Sequence, residues 1–386
     1  MKIYLDNAAT TKTSPEVVEA MKPFFIEIYG NASSIHSFGE SAKEALENAR
    51  EKIAKIINAD PDEIIFTSGG TESNNLAIKG VARALKSKGN HIITSAFEHH
   101  AVLHACQALE KEGFAVTYVG VDKDGFVKLD DLKKAIKKET ILVTVMHANN
   151  EIGTIQQIDK IGKICKEKNV LFHSDIVQSF AKVQIDVKKI NIDIASISAH
   201  KFHGPKGIGA LYIRKGTKLQ RLFDGGAQEL GIRPGTENVA GAVGFAKAAE
   251  LVAQKDIEKM AKLRDRLISE LLKIPGTRLN GSRENRLCNN ANVSFEYIEG
   301  EALLLSLDDK GIAVSTGSAC TSHKLEPSHV LLSLGLKPEQ SHGSIRFSLS
   351  KYTTEEEIDY TIKAVNEVVE KLRAMSPFKQ KSEAHK

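Results

Sequence analysis

The sequence is poor in cysteine, has almost no net charge and has no apolar run long enough to span a membrane. Its four cysteines, Cys106, Cys165, Cys288 and Cys320, lie far apart without a Cys-x-x-Cys pair. This spacing argues against a disulfide framework or a cysteine-based zinc site and favours free thiols in a reducing compartment. The 53 basic and 49 acidic residues leave a formal charge of +4 and are not grouped in blocks, so nucleic acid is not an expected partner.

The N-terminal residues do not have the pattern of a targeting segment. An acid and an amide, Asp6 and Asn7, stand where a signal peptide would need its apolar core. We therefore expect a cytoplasmic protein that does not enter a membrane. With 386 residues and 41% apolar content, the chain is long enough to bury a full core in two or three domains.

Short apolar segments alternate with helical patterns over the first two hundred residues. Strands are predicted at residues 63–67, 91–95, 116–119, 141–146, 170–173 and 194–198, and helices at 37–58 and from residues 73, 101, 130 and 158. This alternation predicts an α/β protein whose sheet is mostly parallel and is covered by helices on both faces. Ligands of such sheets bind at the carboxyl ends of the strands.

The pattern changes beyond residue 250 to long helices and shorter strands, which predicts a smaller α+β domain. The last helix opens with Thr353 and Glu356 at the spacing of a capping box. We divide the chain into a large cofactor-binding domain, a small domain and a disordered tail. The large domain covers residues 15–250, the small domain covers 1–14 and 251–375 and carries the Cys320 loop, and the tail covers 376–386.

Two charged residues follow predicted strands, Asp175 and Lys201. A lysine forms an imine with an aldehyde only as the free amine, and the end of a buried strand can lower its pKa. A carboxylate there can pair with a protonated pyridine nitrogen, an interaction of roughly 5 kcal/mol at about 3 Å and an effective dielectric constant of 20. Each residue alone is more typical of a surface turn or a helix cap. Together they predict covalently held pyridoxal phosphate.

A glycine pair and hydroxyl residues between a strand and a helix predict a phosphate site. Gly70 and Thr71 stand where backbone amides and the helix dipole favour an anion. Plain helix capping by Thr71 or Ser73 explains the pattern equally well. Ser198 and His200, which flank Lys201, can add donors to the same phosphate.

Further candidates lie at the other strand ends. His99 can stack on a cofactor ring and move a proton, and Asn150 and Gln178 can hydrogen-bond the ring hydroxyl or serve as structural amides. A zinc site at His100 and His104 is the competing interpretation, although neither a carboxylate nor a cysteine completes the ligand set.

Cys320 and Arg346 lie in the predicted small domain. Cys320 is in a loop of small residues that gives mobility and little apolar cover, whereas Cys106 and Cys165 occupy predicted helices and fill the core. Arg346 is a basic residue in a strand-like segment and can bind a substrate carboxylate with two hydrogen bonds. An internal ion pair is an equally good explanation of Arg346.

Several long motifs resemble those of cysteine desulfurases of the NifS/IscS type, and the resemblance extends from Tyr4 to about Leu372. The motifs occupy residues 4–11, 71–75, 98–99, 149–153, 198–207, 233–238 and 315–322. The resemblance implies the fold type I pyridoxal-phosphate architecture, with a seven-stranded sheet, and a homodimer with active sites at its interface. It also implies conversion of L-cysteine to L-alanine with formation of a protein-bound persulfide.

The same resemblance implies a role for each motif residue. Lys201 forms the internal aldimine, Asp175 pairs with the pyridine nitrogen and His99 stacks on the ring. Cys320 accepts the sulfur, and Arg346, with Asn150, binds the substrate. The cofactor phosphate and ring are contacted by Gly70, Thr71, Asn150, Gln178, Ser198 and His200, together with Thr236 of the second subunit.

The family's expected sulfur acceptors are iron-sulfur scaffold proteins, with thiolation pathways as other sinks. No intrinsic metal is expected, although a Cys320 persulfide can transiently ligate an iron-sulfur cluster. Two alternatives remain open. One is a selenocysteine lyase or a related class V enzyme, and the other is a non-catalytic scaffold that keeps the fold.

Overall fold

The computed structural model describes residues 2–316 and 327–376, which form strands, α-helices and three short 3-10 helices. The strands are β1 Ile3–Tyr4, β2 Ile64–Thr67, β3 His91–Ser95, β4 Ala115–Val119, β5 Thr140–Thr144, β6 Leu171–Asp175, β7 Ile194–Ser198, β8 Gly209–Ile213, β9 Thr277–Leu279, β10 Asn290–Phe295, β11 Ile312–Ala313 and β12 Ser344–Ser348. The 3-10 helices are Pro61–Glu63, Ala199–Lys201 and Glu229–Gly231.

The α-helices lie mostly between strands, as the alternating pattern predicts. They are α1 Pro15–Met21, α2 Pro23–Ile26, α3 Ser37–Ile56, α4 Gly70–Ala84, α5 His100–Lys111, α6 Leu129–Ala135, α7 Ile158–Glu167, α8 Val187–Ile190, α9 Val239–Glu250, α10 Gln254–Leu271, α11 Gly300–Asp309, α12 His329–Ser333, α13 Pro338–His342 and α14 Glu355–Met375. Among the described residues, no helix is both long and apolar enough to cross a membrane.

Seven strands form the central sheet, in the order β2-β8-β7-β6-β5-β3-β4. Strands β3 to β7 pair in parallel, and β8 runs antiparallel to both of its neighbours, β2 and β7. The predicted mostly parallel sheet is therefore confirmed. Because parallel strands point the same way, the ends of β3, β5, β6 and β7 come together at one edge.

Strand β8 is absent from the sequence prediction. Its residues, Gly209–Ile213, are fully buried and follow the Lys201 motif after only a short connection. A connection this short is compatible with antiparallel pairing, whereas a parallel crossover needs a dozen or more residues. The polar and glycine-rich residues 203–207 precede this strand and are typical of a loop, so the sequence pattern does not predict a strand here.

Helices on both faces of the sheet bury it in two layers of apolar side chains. On one face, α3 packs against α9 and buries Ala42, Leu46 and Ile53 at helical spacing. On the other face, α4 and α5 pack on each other over Ile65, Ile92 and other strand residues. Both faces of the central strands are covered, so successive residues of β3, β5 and β7 are all buried instead of alternating between buried and exposed.

A separate group of buried side chains belongs to the later part of the chain. Strands β9, β10 and β12 form an antiparallel sheet, and α10, α11 and α14 pack around its core with Ile3 and Leu5 from the N-terminus. This arrangement supports the predicted smaller α+β unit. By contrast, Val330 and Leu331 of α12 pack in the core of the first unit. The division of the chain into residue ranges stays a prediction.

The predicted capping box of the last helix is wrong by one residue. Thr354 is the N-cap of α14 and forms the box with Glu357, whereas Thr353 accepts a hydrogen bond from the Ser350 amide. Two consecutive threonines, each followed by a glutamate three residues later, give the same sequence signal. Because the Thr353 hydroxyl accepts from Ser350 in the preceding turn, Thr354 is the residue that caps the helix.

Candidate functional site

A cavity of about 310 Å³ lies at the carboxyl ends of the central strands. Ten residues predicted from the sequence line it: Gly70, Thr71, His99, Asn150, Asp175, Gln178, Ser198, His200, Lys201 and Arg346. Thr236 is exposed and lies outside this set of lining residues. Cys320 lies outside the described residues. The topology thus brings together side chains from strand ends that are far apart in the sequence.

Lys201 ends the 3-10 helix that follows β7, so its side chain starts from a rigid point at the sheet edge. Its Nζ donates hydrogen bonds to the carbonyl oxygens of Ala8 and Ala9, at 2.8 and 2.7 Å. These acceptors belong to the N-terminal segment and are neutral. The amine therefore lies in the cavity without forming an ion pair through these two contacts.

Asp175 is the last residue of β6 and is only 5% exposed. Its Oδ2 accepts a hydrogen bond of 2.7 Å from Asn74 Nδ2, and its Oδ1 accepts one of 3.0 Å from the Val177 amide. Both bonds fix the orientation of the carboxylate inside the cavity. Asn74 lies on α4 and was not singled out from the sequence, although the 71–75 motif contains it.

The start of α4 has the features of a phosphate cradle. Gly69, the N-cap, has a φ of 151°, a backbone conformation that L side chains rarely adopt. A Cβ at Gly70 would lie 2.9 Å from Val177 Cγ2, so glycine keeps this end of the cavity open. Ser73 does not cap the helix, because its hydroxyl donates to the Ala210 carbonyl at 3.0 Å. These contacts exclude capping by Ser73, and the anion site at this helix end stays a prediction.

His99 is the N-cap of α5, and its Nδ1 accepts a hydrogen bond of 3.1 Å from the Ala101 amide. Burial lowers the pKa of His99, and nearby Lys201 lowers it further while Asp175 opposes the shift. The ring is therefore neutral near pH 7. Because Nδ1 accepts, the proton of the neutral ring resides on Nε2.

Three other imidazoles lie beside His99. The ring of His100 is 5.0 Å from that of His104 and 4.8 Å from that of His329, measured between centroids. His329 Nε2 is 2.9 Å from the Glu98 carbonyl oxygen. Within residues 2–316 and 327–376, no group of three His, Cys, Asp or Glu side chains is placed to hold a metal ion. The described residues therefore do not support the interpretation of His100 and His104 as zinc ligands.

Arg346 forms the internal ion pair that was one of its two interpretations from the sequence, and its role toward a substrate carboxylate stays a prediction. Its Nη2 forms an ion pair of 2.8 Å with Asp6 Oδ1, and its Nη1 donates to the Asn150 carbonyl oxygen at 3.1 Å. Its Nε is buried and has no hydrogen-bond partner among the described residues. The guanidinium is thus fixed by an internal ion pair, and Arg346 also lines the cavity. Gln178 donates to the Ala8 carbonyl oxygen at 3.0 Å and so also has a structural contact.

Two buried glutamates beside the cavity were not predicted. Burial raises the pKa of Glu98 to about 8 and that of Glu151 to about 7, although hydrogen bonds from neighbouring groups oppose both shifts. The Glu98 carboxyl group contacts the Ser95 hydroxyl and the Met146 amide, and Glu151 Oε2 accepts from Ser328 Oγ at 2.5 Å. Both acids lie in motifs singled out from the sequence, 98–99 and 149–153, but the sequence does not show that they are buried, since acids at strand ends are ordinarily solvated.

We expect the Glu98→Gln variant to lose the pH dependence of stability that Glu98 causes. The folded-state pKa of about 8 exceeds the ordinary glutamate pKa of 4.5, so the stability that protonation gives is complete below pH 4.5 and is lost as the pH rises through 8. Glutamine stays neutral and keeps similar contacts. At pH 8.5, the variant should be more stable than the parent by roughly 2–4 kcal/mol in urea unfolding.

At pH 4.5 the two proteins should differ little, and the exposed Glu44→Gln change on α3 should have no such effect at either pH. An equal gain from Glu98→Gln at both pH values would contradict the assigned cause.

Comparison with known proteins places these features in a family. The family model for aminotransferase class-V matches residues 3–361. A cysteine desulfurase IscS of Dictyoglomus turgidum is 57% identical over 389 residues, covering 100% of this chain and 99% of that protein. A cysteine desulfurase IscS of Methanosarcina thermophila is 57% identical over 383 residues, covering 98% and 95%.

Solved structures agree with the sequence relatives. A NifS-like protein superposes with a TM-score of 0.91 at 43% identity, over 96% of this chain and 100% of that one. The structure described as SspA in complex with cysteine gives a TM-score of 0.83 at 38% identity, over 92% and 100%. Both support the fold type I architecture. The chain belongs to the aminotransferase class-V family of pyridoxal-phosphate enzymes, and its curated relatives there are cysteine desulfurases.

Proposed function

We propose that this chain is a pyridoxal-phosphate-dependent cysteine desulfurase that converts L-cysteine to L-alanine and transfers the sulfur to Cys320. The observation that carries the proposal is one cavity lined by an amine, a carboxylate and a guanidinium, contributed by Lys201, Asp175 and Arg346. The names of the relatives support the same activity. The direct test is release of alanine, measured with L-cysteine as the substrate and a reductant present.

The residues of the cavity fit the cofactor. Gly70, Thr71, Ser198 and His200 would hold its phosphate at the start of α4, and Asp175 would hold the proton of the ring nitrogen. When bound, the cofactor supplies an electron sink for the bonds at the substrate Cα. Asn150 and Gln178 also line the cavity and would face the ring.

The chain's own residues would bind the substrate and move its protons. Arg346 would orient the carboxylate of cysteine through the donor that its ion pair with Asp6 leaves available. Lys201 Nζ would hold the cofactor covalently and, as a free amine, would remove the proton from the substrate Cα. His99, neutral with its proton on Nε2, would stack on the ring and return or receive a proton.

Cys320 would accept the sulfur as a thiolate. Its sulfur would form a bond with the substrate sulfur while the substrate Cβ–S bond breaks, so that Cβ keeps the electron pair and later takes a proton to give alanine. The described residues on both sides of 317–326 attach near the cavity. Ser315 exchanges backbone hydrogen bonds of 3.2 and 2.7 Å with Arg346, and Ser328 binds Glu151.

The Cys320→Ala variant is expected to bind the cofactor normally and to lose the protein-bound persulfide. The substitution removes the acceptor sulfur and leaves the identities of the cavity residues named above unchanged. Alanine formation should fall by at least about 10²-fold, as for loss of a group that acts in the chemical step. Radiolabelled cysteine and mass spectrometry report the persulfide, and Cys165→Ala, a buried thiol change on α7, is the control. Persistent persulfide on the Cys320 variant would contradict this role.

The two alternatives are separated by the same assay. A selenocysteine lyase would act on selenocysteine and hardly on cysteine, and a non-catalytic scaffold would release alanine from neither. The structure of a relative described as a complex with cysteine favours cysteine as the substrate class.

We further propose that the active protein is a homodimer. Apolar side chains of the segment around α2 are exposed, among them Ile26 at 79% and Ile35 at 96%. Thr236 follows Glu229 in the chain, and Glu229 forms a buried ion pair of 2.8 Å with Arg50. The Thr236 side chain is exposed and does not line the cavity of its own subunit. A second copy would cover the apolar patch and receive Thr236 at its cofactor phosphate.

We expect Ile26→Glu to convert the dimer into a monomer. A charge in a dry interface costs several kcal/mol, so association should weaken by at least about 10²-fold. Light scattering on a size-exclusion column measures the mass, and cofactor retention should fall with it because Thr236 is lost. Leu305→Glu, an equally drastic change at an exposed residue of α11, should leave the mass unchanged. A dimeric Ile26→Glu protein would place the interface elsewhere.

For the sulfur acceptor, we propose an iron-sulfur scaffold protein, in keeping with the IscS name of the relatives.

We also propose a cytoplasmic location, because Cys106, Cys165 and Cys288 are free thiols, which suit a reducing compartment.

A further inference from the structure

A second lysine lies directly behind Lys201 and has no part in the chemistry above. Lys182 follows β6 in the turn after Asp175 and is only 9% exposed. Its Nζ donates a hydrogen bond of 3.2 Å to the backbone carbonyl oxygen of Lys201. Lysine is almost never this buried without a paired acid, because removing an ammonium group from water costs several kcal/mol. Packing alone therefore does not explain why a lysine occupies this position.

A small cavity separates the two lysines from the later part of the chain. It measures about 30 Å³ and is lined by Lys182, Lys201 and Asn289, among others. This volume accommodates one water molecule, and Asn289 Oδ1 is buried without a hydrogen-bond partner among the described residues. A water molecule in this cavity would lie beside Lys182 and Asn289.

The charged groups around this cavity are mostly basic. Lys182, Lys201 and Lys351 line it, and Asp256 is the acid among the lining residues. His203 also lines it but is neutral near pH 7, because burial lowers its pKa to about 4. Asp256 is partly exposed, so solvent screens its charge. His200 adjoins Lys201 in sequence, and Lys182 contributes to lowering the pKa of both His200 and His203.

Cys288 is the remaining titratable group that faces Lys182. Burial raises the pKa of the Cys288 thiol, although Lys182 opposes the shift, so the thiol is neutral near pH 7. Burial lowers the pKa of Lys182 to about 8, which leaves its amine mostly protonated at neutral pH. Lys182 therefore places a positive charge next to the Lys201 backbone, and the neutral Cys288 thiol does not compensate for this charge.

We propose that Lys182 is a positioning residue that holds the Lys201 backbone and places a positive potential behind the Lys201 amine, which favours its neutral, reactive form. Like charges disfavour each other, so a protonated Lys201 nitrogen is less stable beside a protonated Lys182. The inference rests on the proposed function, in which Lys201 must be neutral to bind the cofactor. It adds a residue that sets the pH range of the reaction without touching the substrate.

Two variants separate the charge of Lys182 from its hydrogen bond. Lys182→Met removes both, and Lys182→Gln removes the charge while keeping an N–H donor for the Lys201 carbonyl oxygen. In each holoenzyme, we follow the visible absorption that covalent attachment at Lys201 produces as a function of pH. Removal of a nearby positive charge should raise the pH midpoint of the spectral change in both variants, by about one unit. The acid limb of kcat/KM should move in the same direction.

Cys288→Ala is the matched control, because it alters a neutral group beside Lys182 and should leave the midpoint within about 0.2 units of the parent. Parent-like midpoints in both Lys182 variants would overturn the proposal. A shift in Lys182→Met alone would also overturn the electrostatic role, since only the hydrogen bond would then matter. If the parent chain takes up no cofactor at all, the proposed function fails, and the inference fails with it.

Discussion

Replacement of Lys201 by alanine is expected to abolish both covalent cofactor attachment and alanine formation. Lys201 Nζ is the amine that ends the 3-10 helix after β7 and lies in the cavity, where it donates to the carbonyl oxygens of Ala8 and Ala9. Without it, neither the covalent bond nor the proton transfer at Cα can occur. The rate should fall by at least about 10³-fold, within the range for loss of a general acid–base group.

The measurement has two independent parts. Borohydride reduction of the holoenzyme, followed by peptide mass analysis, should place the cofactor mass on the peptide that contains Lys201, and the variant should carry none. Alanine release gives the rate. Lys206→Ala is a matched control, because this exposed lysine lies in the same segment. Cofactor mass on any other lysine of the parent chain, or normal turnover by the variant, would refute the assignment.

The positions of Asp175 and Lys201 could be predicted because they depend on local pattern. Asp175 ends one short buried strand and Lys201 ends the turn after another, and the alternation of strands and helices predicts a mostly parallel sheet. Once the strands are parallel, their carboxyl ends must meet. The sequence therefore predicts both the fold class and the edge of the sheet where the chemistry is concentrated.

Contacts made by backbone atoms or by distant segments could not be predicted in the same way. The carbonyl oxygens of Ala8 and Ala9 reach Lys201 across more than 190 residues, and no sequence pattern identifies a carbonyl as a ligand. Lys182 looks like a solvated lysine in sequence, and only the packing shows that it is buried. The Asp6 partner of Arg346 likewise comes from the opposite end of the chain.

The second large effect is expected for Asp175→Asn, which tests the charge at the ring nitrogen. The carboxylate is held by Asn74 Nδ2 and the Val177 amide. Asparagine has almost the same shape and can keep accepting from Val177 through its oxygen. Asn74 Oδ1 has no hydrogen-bond partner among the described residues, so a flip of the Asn74 amide would let it accept from the new Nδ2. The substitution thus removes the charge with little change in packing.

Loss of the charge removes an ion pair worth about 4 kcal/mol at 4 Å and an effective dielectric constant of 20, which corresponds to roughly 10³-fold in kcat/KM. Asparagine at 175 would no longer hold a proton on the ring nitrogen of the bound cofactor, whose electron-sink chemistry would be weakened. Asn74→Ala provides the graded control. It keeps the charge and removes one hydrogen bond to it, so we expect a loss of about 10- to 100-fold.

Spectra and kinetics together decide whether the charge or the geometry matters. Asp175→Asn should still attach the cofactor at Lys201, because the amine and the phosphate cradle are intact, and the loss should appear in kcat more than in KM. A variant within tenfold of the parent kcat would show that the carboxylate charge is dispensable. A loss equal to that of Asn74→Ala would show that Asp175 acts through its orientation. The charge role requires that Asp175→Asn be the more severe of the two by about tenfold or more.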